Sequence, residues 1–286
     1  MIIKNWDTLA TTGLRKRALD IIEAGITRVL PTNIIKAVVG YNVADKTLII
    51  NGETYTTVNG RVFVIGGGKA SGLMAEALEE IIQPANITAG VVNCRGSHYN
   101  TSKIEVITAG HPIPDGRGID GVSEMLDLKR RYSINERDFI LCLISGGGSA
   151  LMPYPVYEVS LEAKQEITRL LFGCGADIGE INVVRKHLSQ VKGGQLGRYY
   201  LPATVISLIL SDVIGNDLSV IASGPTYPDS STFSGACEVL ERYHLLSRAP
   251  KSVIDFLRKG CLGEVVETPK TLDNCQNYIL ETIAWP

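Results

Sequence analysis

Twice in this chain an unbroken apolar run ends in three glycines and then passes into a helix-like pattern. The first is Val62-Phe63-Val64-Ile65-Gly66-Gly67-Gly68-Lys69-Ala70, and the second is Leu141-Cys142-Leu143-Ile144-Ser145-Gly146-Gly147-Gly148-Ser149-Ala150. A run with no polar alternation is what a strand covered on both faces looks like, and such strands belong to parallel sheets flanked by helices. Glycines at the strand end let the backbone turn sharply and bring N–H groups close to an anion. Two such loops in one chain restrict the fold more than any other feature of the sequence.

With these two, which span 61–65 and 139–144, further apolar runs fall at 89–93, 104–108 and 204–210, separated by helical stretches such as 69–83 and 161–171. The fold expected is α/β: a three-layer α/β/α sandwich around a mostly parallel, Rossmann-like sheet. In such sheets ligands sit beyond the carboxyl ends of the strands, so the loops that follow strands are the places to look for chemistry. Before the first loop, Leu14, Ala18, Ile21, Ile22, Ile26 and Val29 recur at helical spacing until Pro31, which predicts an amphipathic first helix. Runs at 47–50 and 54–58 flank Asn51-Gly52, a dipeptide suited to a hairpin turn. From about residue 264 the pattern is less regular, with no closing strand or helix expected.

At 286 residues, 45% apolar and 20% charged with a net charge of -2, the chain can bury a full core and has no basic excess for nucleic acid. No apolar run is long enough to span a bilayer, and no secretory signal is visible at the start, so a soluble cytoplasmic setting is expected. The six cysteines form no C-x-x-C pair and read as reduced thiols.

Several side chains could act at the strand-end loops. Lys69 sits where an ammonium would meet a phosphate, although Phe63 and Ala70 break the Walker A pattern. Gly66, Gly67, Gly68, Gly146, Gly147 and Gly148 form two candidate phosphate cradles, with Ser145 and Ser149 as donors. Arg185 and Lys192 are seven residues apart in a stretch whose apolar seam is Ile181, Val184, Leu188 and Val191; on one helix they would share a face and could meet a carboxylate or phosphoryl group. A solvated basic face is the plain alternative. Asp212 directly follows the run at 204–210, the placement used for Mg²⁺ ligands and catalytic bases in phosphoryl transfer. Asp217 either assists it or caps a turn. Ser223-Gly224-Pro225-Thr226 is a turn that could reach a nucleotide. In Gly110-His111-Pro112-Ile113-Pro114-Asp115, two prolines hold His111 and Asp115, which read more readily as structural than as catalytic.

Taken together, these strings resemble the type II glycerate kinase family. The resemblance rests on Gly66-Gly67-Gly68-Lys69-Ala70, Gly110-His111-Pro112, Ser145-Gly146-Gly147-Gly148-Ser149-Ala150, Val184-Arg185-Lys186-His187-Leu188-Ser189, Lys192-Gly193-Gly194, Leu210-Ser211-Asp212-Val213 and Ile221-Ala222-Ser223-Gly224-Pro225-Thr226, in family order. It implies ATP-dependent phosphorylation of D-glycerate to 2-phosphoglycerate in a cleft between two domains. Lys69, Asp212 and Arg185 would be catalytic, and Asp212 would be the Mg²⁺ ligand. The two loops with Lys192, Ser223 and Gly224 would bind phosphate or substrate. Residues 1–265 would be the N-terminal α/β domain, and 266–286 a truncated linker toward a missing C-terminal domain that lies on a separate chain or leaves this one impaired. No nucleic-acid or membrane partner is implied, and a homodimer is left open. Two rivals remain: an NADP-binding oxidoreductase with Arg95 on the 2′-phosphate, and a non-catalytic nucleotide-binding fragment.

Overall fold

A computed structural model describes residues 2–282. In chain order the elements are α1 (Trp6–Leu9), α2 (Gly13–Arg28), α3 (Pro31–Val38), β1 (Val39–Asn42), β2 (Thr47–Ile50), β3 (Glu53–Thr56), β4 (Val62–Gly67), α4 (Ser71–Ile82), β5 (Ile87–Cys94), β6 (Ile104–Thr108), α5 (Gly116–Tyr132), β7 (Phe139–Ser145), α6 (Gly148–Leu151), α7 (Leu161–Gly173), α8 (Ile178–His187), α9 (Gln195–Tyr200), β8 (Thr204–Ser211), α10 (Phe233–Arg242), α11 (Lys251–Cys261) and β9 (Cys275–Thr282).

Six strands form one wholly parallel sheet in the order β6-β5-β4-β7-β8-β9. Counted within the sheet this is 3-2-1-4-5-6, and the order reverses between β4 and β7, where a crevice opens. The two strands that end in glycine triplets are those two. Their residues alternate between faces: Val62 and Val64 pack with Met74 and Leu78 of α4 and with Leu48 and Ile50 of the hairpin, while Phe63 and Ile65 pack with Val122 and Met125 of α5 and Tyr200 of α9. Helices therefore cover both sides, as expected for a three-layer sandwich. A third cluster joins α7, α8, α10 and α11 through Ile167, Leu171, Ile181, Val184, Phe233, Leu240, Val253 and Leu257.

The hairpin turns at Asn51 and Gly52 with φ of 49° and 86°, as that dipeptide allows, and β1 adds a third antiparallel strand to it. The amphipathic helix expected before Pro31 forms as α2, preceded by the short α1, but its apolar stripe is not buried: Leu14 and Ile21 are 80% and 73% exposed. The expectation of an irregular end without a strand is corrected, because β9 pairs with β8 through Tyr278 and Ile279 and extends the sheet inside the segment read as a linker. Its residues alternate too weakly in polarity to stand out as a buried strand. Trp285 and Pro286 lie outside the described residues.

Candidate active site

The loop after β4 does not present its glycines to a ligand. A side chain at Gly66, whose φ is 138°, would lie 2.1 Å from the Leu143 carbonyl oxygen, and one at Gly68 would lie 2.1 Å from Ser145 Oγ. Gly67 faces Met152 in the same way. Neighbouring parallel strands are about 4.8 Å apart, so two loops leaving β4 and β7 side by side fit only if one of them lacks side chains. The N–H groups are engaged as well: Gly68 donates to Asn93 O at 3.1 Å, Lys69 to Gly146 O at 2.8 Å, and Ala70 to Ser145 Oγ at 3.0 Å. The phosphate cradle expected of Gly66, Gly67 and Gly68, with Ser145 as a further donor, thus has the N–H groups of 68–70 taken up within the protein and Ser145 Oγ accepting from one of them. Ser145 is 1% exposed and ties one loop to the other.

What this packing achieves is the placement of Lys69. Its Nζ stands 3.5 Å from Asp212 Oδ2, and both side chains are roughly half exposed at 48% and 40%. Asp212 leaves the carboxyl end of β8 and lies over Gly146, where an added Cβ would meet Oδ2 at 1.9 Å. Gly147, with φ of 83°, leaves room for the Lys69 stem and the His111 ring, which an added Cβ would meet at 3.2 and 2.8 Å. Among the described residues the Gly147 and Gly148 N–H groups find no backbone acceptor. His111 Nδ1 is buried without a hydrogen-bond partner. Burial, then the Lys69 and Arg95 charges, lower the His111 pKa against the pull of Asp212, which favours a neutral ring. Asp115 is structural, accepting from Gly110 N at 2.9 Å and Gly118 N at 3.1 Å to cap α5. Asp217 caps the turn at Ser219.

Beyond Gly147 a cavity of about 700 Å³ is lined by His111, Ser149, Lys164, Phe172 and Arg185 among others. Arg185 and Lys192 do come near each other, but not along one helix, since α8 ends at His187. The reason is local: Gln190 N donates to Tyr154 O, and Gly193 and Gly194 take positive φ, so the chain leaves the helix before Lys192. Lys192 is 1% exposed, and its Nζ donates to Ser149 O at 2.8 Å and Met152 O at 3.3 Å, which makes it a tether beneath the cavity wall.

Ser223 and Gly224 are also internal. The Ser223 hydroxyl sits 2.6 Å from that of Ser149 and donates to Asn182 Oδ1 at 3.1 Å, while Gly193 and Gly194 N–H groups bond the Ser223 and Gly224 carbonyls. Ala222, Ser223 and Gly224 all have positive φ, near 50°, 63° and 60°. Two non-glycine residues held this way are strained, and such strain is usually retained beside functional sites. Here it braces α6, since an added Cβ on Gly148 would lie 2.9 Å from that of Ala222.

Reading the sequence missed Lys164. It occupies the buried side of α7, three and seven residues before Ile167 and Leu171, a lysine where the helical period calls for an apolar residue. That mismatch was the available signal. Among the described residues no group of three His, Cys, Asp or Glu side chains could hold a metal ion. One carboxylate at Asp212 suits a Mg²⁺ carried mainly by phosphates rather than a cage made by protein alone.

A parallel sheet with this strand order, whose switch point carries an ammonium and a carboxylate beside a cavity, defines a doubly wound α/β protein with its candidate site at the carboxyl ends of the strands. The chain belongs to the family described as "Domain of unknown function (DUF4147)", which matches residues 17–258. It is 42% identical over 271 residues to the glycerate 2-kinase of Pyrococcus horikoshii, covering 92% of this chain and 60% of that protein. It is superposable on the glycerate kinase structure from Thermotoga maritima with a TM-score of 0.78 and 38% identity, over 94% of this chain and 59% of that one. An Agrobacterium vitis relative, 38% identical over 72% of this chain and 54% of its own length, is named a putative hydroxypyruvate reductase. The resemblance to type II glycerate kinases is borne out, and the chain spans about 60% of the length of the first of these relatives. Among the described residues no helix is long and apolar enough to cross a membrane.

Proposed function

We propose that this chain carries the nucleotide- and substrate-binding part of an enzyme that transfers the γ-phosphoryl group of ATP to D-glycerate, giving 2-phosphoglycerate. The observation that carries this reading is the Lys69 and Asp212 pair, 3.5 Å apart at the switch point and next to Gly147 and His111, which line a cavity whose wall holds Lys164, Arg169 and Arg185 as well as Glu162 and Glu166. Phosphoryl transfer asks the protein mainly for positioning and charge neutralisation. In this reading Lys69 faces the transferring phosphoryl group. Asp212 accepts the proton of the attacking hydroxyl, whose oxygen bonds to the γ-phosphorus as the bond to ADP breaks. Mg²⁺, held by the nucleotide phosphates against Asp212, would supply further charge neutralisation. Arg185 fixes the acceptor's carboxylate, and Gly147 with Gly148 offer N–H groups to phosphate oxygens. The same proposal includes an N-terminal α/β domain that runs past the expected boundary at 265 to take in β9, a C-terminal domain completing the cleft, a cytoplasmic setting and a homodimer.

The oxidoreductase reading has less support. At the end of β5, Asn93 Nδ2 is committed to Gly118 O and Leu151 O at 2.9 and 2.7 Å. A dinucleotide's pyrophosphate would need the N–H groups of 68–70, which are engaged within the protein. The test is a coupled assay with ATP, Mg²⁺ and D-glycerate, with the product identified by NMR, run beside NADPH oxidation with hydroxypyruvate. Phosphoglycerate formation that Lys69→Ala lowers by about 100-fold or more is expected. NADPH turnover without phosphoglycerate would overturn the proposal.

A further inference from the structure

The most unusual group in the molecule is Lys164. It is 6% exposed, its Nζ has no hydrogen-bond partner, and it lines the cavity beyond Gly147. Among the described residues no carboxylate pairs with it, although Glu162 and Glu166 line the same cavity, and the charge that acts on it is another cation, Arg185, for which no ion pair or hydrogen bond is found. Elsewhere this protein satisfies its buried cations: Lys186 pairs with Asp229 at 3.1 Å, and Lys192 donates to two carbonyls. An unpaired buried ammonium beside a guanidinium is costly unless an anion arrives.

We infer that Lys164 and Arg185 together form the subsite for the carboxylate of the acceptor, a small hydroxy acid. The inference rests on the phosphoryl-transfer reading above and adds to it the residue that selects the acceptor. Lys164 comes from α7 and Arg185 from α8, two helices packed in one cluster, so the two cations are held at a fixed separation. An Arg fork with a buried ammonium suits a compact planar anion. Polyphosphate is better served at the open rim, where Lys69 and Asp212 are half exposed. Between the two lie Gly147 and Ser149, which places the hydroxyl end of a short acid toward Lys69. Burial, then the neighbouring guanidinium, lower the Lys164 pKa, and an arriving carboxylate would oppose both effects.

The experiment is calorimetric titration of the protein with D-glycerate, with glycerol as the neutral analogue, and with ATP, on wild type and on Lys164→Met, alongside thermal melting. Expected is D-glycerate binding at least about 10-fold tighter than glycerol in wild type, loss of at least about 10-fold in D-glycerate affinity in Lys164→Met, and unchanged ATP affinity. The variant should melt at or above the wild-type temperature, because it removes an unpaired group. A variant that binds D-glycerate as wild type does, or that loses ATP instead, overturns the inference while leaving the kinase reading standing. A variant that fails to fold overturns it too, since Lys164 would then be structural, and the comparison of D-glycerate with glycerol still tests the anion requirement in wild type. Wild type that binds ATP but no D-glycerate removes the acceptor assignment on which the inference rests.

Discussion

Replacing Gly146 with alanine separates positioning from folding at this site. The new Cβ would fall 1.9 Å from Asp212 Oδ2 and 2.4 Å from its Cγ, and the three nearest atoms all belong to that carboxylate. Ordinary contact begins near 3.4 Å, so the carboxylate must swing by about 1.5 Å, away from its place 3.5 Å from Lys69 Nζ. Asp212 is 40% exposed and can move into solvent. Gly146 is not among the glycines with positive φ, so alanine fits its backbone and gains about 0.4–1 kcal/mol by restricting the unfolded chain. The melting temperature should therefore stay within about 2 °C of wild type. A shift of this size in a reacting group costs on the order of 100-fold in rate, near 2.7 kcal/mol of transition-state stabilisation. Steady-state kinetics with ATP and D-glycerate, beside a melting curve, check both halves. Full activity in Gly146→Ala would show that Asp212 does no chemistry where it stands, and loss of the fold would show that the carboxylate is not free to swing.

The other expectations concern different parts of the molecule. Gly66→Ala should behave in the opposite way, destabilising by roughly 3 kcal/mol or more, because φ is 138° and the obstacle at 2.1 Å is backbone; urea unfolding measures it. Lys69→Ala should keep the wild-type melting temperature, since the ammonium is 48% exposed and its pair with Asp212 adds little stability, while turnover falls. Asp229→Asn should cost about 3–5 kcal/mol by leaving Lys186 buried and unpaired. Burial works against ionisation of Asp229, yet Lys186 and Ser231 outweigh it and the pKa is lowered from 3.8. The stability it contributes is thus present above about pH 4 and lost as pH falls through the folded pKa, so the gap between wild type and this variant should close in acid.

The sheet was legible because its strands are buried on both faces and therefore read as continuous apolar runs, from 62 through 210. β9 was not, since at the sheet edge Gln276, Asn277 and Glu281 are tolerated among apolar neighbours. The meeting of Lys69 with Asp212 could be read as well: each stands within two residues of the end of its strand, and the strand order brings them together. The roles of the glycines could not. Sequence shows that Gly66 and Gly68 lack side chains, but not that Leu143 and Ser145 occupy the space, because that depends on which strands are neighbours. Spacing also misled for Arg185 and Lys192, where the seven-residue interval suggested one helix and tertiary bonds from Tyr154 and Ser223 ended it early. Lys164 left one trace in the sequence, a lysine on the apolar period of α7, and its burial without a partner is what the fold adds.

The interlock between the two glycine loops has a consequence for engineering and descent. Gly68 is the seat of the Ser145 hydroxyl, and Gly66 that of the Leu143 carbonyl, so neither segment can be exchanged without the other. Grafts, shuffled libraries and natural drift should treat these stretches, remote in the chain, as one heritable part. A transplant that moves a single loop would deliver a clash, whereas moving both would carry the placement of Lys69 with them.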